Sequence, residues 1–117
     1  MLVSEIRDIL DAEIITGADK LDTEVKSACG SDMMSDVLAF VKDQSVLLTG
    51  LVNPQVVRTA EMMDMRCIIF VRGKRPDSSV ISLANERGII LLCTKHRMFV
   101  ACGLLYSHGL RGGTVKE

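Results

Sequence analysis

Three runs in this chain, SVLLTG (45–50), RCIIFV (66–71) and IILLCT (89–94), are almost wholly apolar, and each is followed by a stretch with the apolar spacing of a helix. A strand with no polar face has nothing to offer water, so it belongs inside a parallel sheet covered on both sides. The alternation predicts βαβ units and an α/β fold in three layers: a largely parallel sheet with helices on both faces. Right-handed crossovers would set the C-terminal ends of successive strands along one edge, where α/β proteins bind their ligands.

The remaining segments fill in that frame. SEIRDILDAE reads as an N-terminal helix with Ser4 as cap and Ile6, Ile9 and Leu10 on one face. Short strands are expected over Ala12–Ile15, closed by Gly17, and over about Val25–Cys29, ending at Gly30. Ser31 or Asp32 would cap a helix whose apolar positions are Met34, Val37, Leu38 and Val41. Asn53 followed by Pro54 marks a helix start, because proline's missing N–H costs nothing at the first helical position. Asp77 or Ser78 would cap the next helix and Gly88 would end it. Thr94 is expected to cap the last helix, which would stop at Gly109. With 117 residues the chain forms one domain over 1–108, and 109–117 reads as a loose tail.

Composition narrows the function. No apolar stretch reaches the length of a membrane span, and the first residues are acidic where a signal peptide needs a basic region, so a cytoplasmic protein is expected. Cys29, Cys67, Cys93 and Cys102 form no C-x-x-C pair and read as free thiols. Met33, Met34, Met62, Met63, Met65 and Met98 fall in or beside helices, as adaptable core or as an interface. Residues 1–43 hold ten Asp and Glu against four Lys and Arg, a net −6, whereas 44–117 hold five against ten, a net +5.

The positive half gathers at one place. The loops expected to leave the strands at the ligand edge are TGLVNP, RGKRPD and TKHR, and they carry Arg72, Lys74, Arg75, Lys95 and Arg97, with His96 adding charge when protonated. If Thr94 is a cap, Lys95, His96 and Arg97 occupy the first helical turn, where the helix dipole opposes each cation by about 0.3–1 kcal/mol. An anion would relieve that. Thr49, Gly50, Asn53, Arg72, Gly73, Lys74, Thr94, Lys95, His96 and Arg97 are therefore the candidate residues for binding an anion.

Enzyme signatures are missing. There is no Walker loop and no G-x-G-x-x-G after a strand; the histidines lack carboxylates at metal-ligand spacing, and no acid orients a Cys–His pair. No catalytic residue, metal or cofactor is expected. Nearly absent aromatic residues and a net charge of −1 argue against nucleic acid as a partner.

Two stretches, MMSDVLAFVKDQSVLLTGLVNPQVVRTA and IIFVRGKRPDSSVISLANERGIILLCT, resemble the DRTGG domain family, and the chain is similar to the related N-terminal domain of HPr kinase. Where relatives carry Gly-Asp-Arg after the third strand, this chain reads Gly50-Leu51-Val52-Asn53, and in place of Gly-Gly it has Arg72-Gly73. The resemblance implies a small α/β accessory module, of the kind that accompanies phosphotransacetylases and CBS-domain pyrophosphatases and contributes to dimer contacts. A stand-alone, non-catalytic regulatory or protein-interaction module is expected, as a homodimer and with an acidic protein as partner. The alternative is a sensor that binds a phosphate-bearing small molecule or nucleotide at the basic edge.

Overall fold

The computed structural model describes residues 1–40 and 45–113. Five strands, β1 (Glu13–Thr16), β2 (Ser27–Gly30), β3 (Ser45–Thr49), β4 (Cys67–Phe70) and β5 (Ile90–Cys93), form one sheet in the order β1-β5-β4-β3-β2. β2 to β5 run parallel and β1 runs antiparallel on the edge beside β5. The helices are α1 (Val3–Leu10), α2 (Met34–Phe40), α3 (Pro54–Met62), α4 (Ser78–Arg87) and α5 (Met98–Ser107).

The parallel strands divide their side chains between two cores. Val46, Leu48, Ile69, Ile90 and Leu92 meet Val3, Ile6 and Leu10 of α1 and Ala101 and Leu105 of α5. Leu47, Ile68, Phe70 and Leu91 meet Val37 of α2, Val56, Val57 and Ala60 of α3, and Val80 and Ala84 of α4. This is the three-layer arrangement expected of strands that are apolar on both faces.

Local signals act where expected at three helix ends. Asn53 accepts a hydrogen bond from the Val56 N–H at 3.3 Å, with Pro54 at the first helical position. Asp77 accepts from the N–H groups of Ser79 and Val80, and Gly88 ends α4 at a φ of +71°. An N-cap of the Asn53 kind stabilises its helix by about 1 kcal/mol.

Other ends differ from expectation, where backbone or side-chain hydrogen bonds compete with the local signal. α1 begins after Leu2, not after Ser4: Met1 and Val25 exchange backbone hydrogen bonds, and the Glu5 carboxylate accepts from the Leu2 N–H. That pairing also occupies Val25, so β2 starts at Ser27. Ala12 closes α1 by donating to the Arg7 carbonyl, which moves β1 to Glu13–Thr16. A bulge follows Ile14, where the Thr16 hydroxyl donates to the Ile89 carbonyl and accepts from the Leu91 N–H. Before α2 it is Ser31 that accepts from the Met33 N–H, while Asp32 turns to β3. Val41, expected on the apolar side of that helix, lies outside the described residues.

The segment after Gly109 is anchored as far as Arg111. Leu110 is buried, the Arg111 carbonyl accepts from Ala28 N–H, and the Arg111 guanidinium stacks on Tyr106 at 3.9 Å. The apolar side chain one residue past Gly109 and the Arg111 contacts together bind the chain back onto the sheet. Residues 114–117 lie outside the described residues.

Candidate functional site

The C-terminal edge of β3, β4 and β5 carries the loops expected there. Val71–Lys74 is a tight turn closed by the Lys74 N–H on the Val71 carbonyl, with Arg72 at φ +62° and Gly73 at φ +70°, the dihedral signs of a type I′ turn. The turn is tied to the loop after β5: the Arg72 N–H donates to the His96 carbonyl at 2.8 Å, and the Gly73 N–H to the Thr94 carbonyl at 3.0 Å.

These bonds change the role of Thr94. α5 starts at Met98, with Arg97 at the cap position and no side-chain capping bond. The Thr94 hydroxyl donates instead to the Leu10 carbonyl at 2.8 Å, joining the end of β5 to the end of α1. Held on both sides, residues 94–96 are not helical. Lys95 and His96 therefore do not stand in the first turn of α5, and the dipole argument for an anion there does not apply.

Eight of the ten candidate residues fall into two groups, and Lys74 and Arg97 stand outside both. In one, Asp32 accepts from the Thr49 hydroxyl at 3.0 Å and from the Gly50 N–H at 2.7 Å, and Arg72 approaches the same carboxylate at 4.0 Å. Asn53 stands beyond it as the cap of α3. In the other, Gly73, Thr94, Lys95 and His96 line a cleft of about 520 Å³ together with Leu10, Asp11, Glu13, Arg75 and Cys93.

Three acidic residues thus reach the basic edge from the acidic half of the chain. Antiparallel β1 sets Glu13 opposite Cys93, and Glu13 receives both terminal nitrogens of Arg75 at 2.8 and 2.9 Å. That fork lowers the Glu13 pKa and raises that of Arg75, in each case chiefly through the hydrogen bonds between them. Asp11 adds a carboxylate to the cleft wall, and Asp32 occupies Arg72. Lys74, Lys95 and Arg97 are exposed, and none of them enters an ion pair among the described residues.

Cys93 shares the cleft with His96, yet burial pushes its thiol above the ordinary value. A nucleophilic cysteine is shifted the other way. Among the described residues no helix is long and apolar enough to cross a membrane.

The sequence pattern of the DRTGG domain matches residues 5–106. The solved structures similar to this chain include the crystal structure of the CBS and DRTGG domains of the regulatory region of Clostridium perfringens pyrophosphatase, complexed with activator, diadenosine tetraphosphate. The TM-score is 0.74 at 17% identity, and the alignment covers 98% of this chain but 52% of that one. No curated protein matches. The structural likeness is one of fold, a five-stranded, mostly parallel sheet between helices. With the family pattern extending over nearly the whole sequence, the chain belongs to the DRTGG domain family.

Proposed function

We propose that the chain is a non-catalytic regulatory module of the cytoplasm, a homodimer that docks an acidic segment of a partner protein at the C-terminal edge of its sheet. The observation that carries this reading is how the edge distributes its cations. Arg75 is committed to Glu13 and Arg72 stands against Asp32, while Lys74, Lys95 and Arg97 are left as an exposed rim. Flexible, solvated lysines and an arginine around a rim attract a charged partner surface and steer its approach. Family membership supports a regulatory role, as does likeness to a domain from the regulatory region of a pyrophosphatase.

The cleft beside Lys95 and His96 favours a second reading, a sensor for a phosphate-bearing small molecule. Against it, Asp11 and Glu13 form part of the cleft wall and would repel a phosphate.

A labelled hexaglutamate peptide, titrated by fluorescence anisotropy at low salt, tests the docking edge. Replacing Lys74, Lys95 and Arg97 together by alanine should weaken binding at least tenfold. Replacing the exposed Lys20, Lys26 and Arg58 should leave it within twofold. Equal losses in the two triple variants, or no binding by the parent chain, would overturn the reading.

A further inference from the structure

The cleft beside β5 has a wall that repels phosphate, and its charges define what it would admit instead. Its volume, about 520 Å³, lies within the range of roughly 300–1,000 Å³ typical of sites that enclose small molecules. Four Asp, Glu, Lys or Arg side chains line it, and two of them cancel: the Arg75 guanidinium and the Glu13 carboxylate close on each other at 2.8 and 2.9 Å. The other two, Asp11 and Lys95, enter no ion pair among the described residues. One free carboxylate and one free ammonium thus line the same space.

The backbone holds both in place. Asp11 and Lys95 directly follow Leu10 and Thr94, which are joined by the buried bond from the Thr94 hydroxyl to the Leu10 carbonyl at 2.8 Å. On one flank Asp11 ends α1 at a φ of +48°, with its N–H on the Arg7 and Asp8 carbonyls. On the other, the N–H groups of Arg72 and Gly73 hold the carbonyls of His96 and Thr94. Opposite charges brought to one cleft and left unpaired suit a ligand that carries both charges itself. An ammonium would meet Asp11 and a carboxylate Lys95, whereas a phosphate would gain the second contact only by opposing the first. Leu10 and Cys93 add an apolar part to the same wall.

We infer that the cleft is a binding site for a zwitterion with an apolar body, a free amino acid or a short peptide with free termini. The site does not rest on the docking reading, because Lys74 and Arg97 of the rim lie outside the cleft. Contacts between exposed charges are weak, so an affinity in the millimolar range is expected.

An NMR titration of the backbone amides at neutral pH and constant ionic strength is the test. The probes are L-leucine and leucyl-leucine, and the controls are N-acetyl-leucine and leucinamide, each lacking one of the two charges. Both zwitterions should shift the Asp11, Lys95 and His96 amides along saturating curves, and the tighter of the two gives the length the cleft accepts. Each control should bind at least tenfold more weakly than leucine. Asp11→Asn should weaken the zwitterions at least tenfold as well, with the fold retained, because asparagine tolerates the left-handed backbone at this position. Replacing Lys74 and Arg97 together by alanine should leave leucine binding within twofold while weakening hexaglutamate. The site would be overturned, and the docking rim left standing, by no saturable shift with either zwitterion, by a control that binds as tightly as leucine, or by unchanged binding in Asp11→Asn. Failure of hexaglutamate to bind a chain that still takes up leucine would overturn the rim alone.

Discussion

The Arg72 guanidinium lies against the Gly50 backbone, in the space that any side chain at position 50 would fill. A Cβ built on Gly50 would stand 2.9 Å from Arg72 Cζ and 3.1 Å from Nε. Absence of a side chain after β3 thus lets a cation from the next strand's loop cross over it and reach 4.0 Å from Asp32, whose other oxygen holds the Gly50 N–H. The edge is built from the small residue outward.

Because the atoms in the way belong to the far end of a flexible side chain, Gly50→Ala should swing Arg72 aside at little cost. The ion pair it disturbs is half exposed and long, so a loss below about 1 kcal/mol is expected. Gly17→Ala should behave differently. Gly17 has a φ of +83°, and its Cβ would stand 3.2 Å from the Ile90 Cα and 2.7 Å from Cγ1 of the same residue. Backbone strain plus a clash with an ordered strand should cost roughly 2 kcal/mol or more. Urea unfolding of the two variants checks the contrast.

Arg72 itself adopts a left-handed conformation that a glycine takes without penalty. Arg72→Gly should therefore be neutral or stabilising by up to about 1 kcal/mol, the strain relieved outweighing a weak, half-exposed ion pair. Loss of more than that in urea unfolding would show that the Asp32 contact is stronger than its 4.0 Å separation implies.

Thr94→Val removes the buried donor to the Leu10 carbonyl and the acceptor for His96 N–H. A loss of about 1–3 kcal/mol is expected. Thr94→Asp separates this role from helix capping. An aspartate would serve as a cap at least as well as threonine, but it cannot donate to a carbonyl, so it should destabilise as strongly as valine. Thermal unfolding of the two variants at neutral pH decides between the roles.

The Glu13–Arg75 fork gives a pH signature with a definite sign. Glu13 titrates below the ordinary carboxylate value of 4.5 in the folded chain, so the stabilisation it provides is present above that value and is lost as pH falls through the depressed one. The stability of Glu13→Gln should differ from that of the parent by a constant amount above about pH 5.5 and converge on it towards pH 2. A pair so exposed yields a small difference, which makes the pH dependence the quantity to follow. A difference that widens as the pH falls would contradict the assignment.

The layers of the fold were legible because they depend on signals confined to a few residues. Continuous apolar runs mark β3, β4 and β5, and the Asn53-Pro54, Asp77 and Gly88 signals mark the ends of α3 and α4. What escaped was non-local. Nothing in EIIT says that β1 runs antiparallel on the free edge of β5, yet that direction alone carries Glu13 to Arg75, 62 residues away. Asp32 reads as a helix cap until β3 supplies better donors. Thr94 has the chemistry of a cap as well, and loses that role because the Leu10 carbonyl is within reach. The basic loops were visible in the sequence, but their neutralising partners could be found only in three dimensions.

A thermal-shift panel at matched ionic strength is the most direct test of whether this edge is a docking rim or a phosphate pocket. Nucleotides, acyl phosphates and inorganic phosphate should each move the melting temperature no further than sodium chloride does, because a solvated rim responds to screening and not to the identity of the anion. A saturable rise specific to one phosphate-bearing compound, growing with its free concentration, lost in Lys95→Ala and His96→Ala and kept in Arg97→Ala, would contradict the docking edge and establish the cleft as a ligand site.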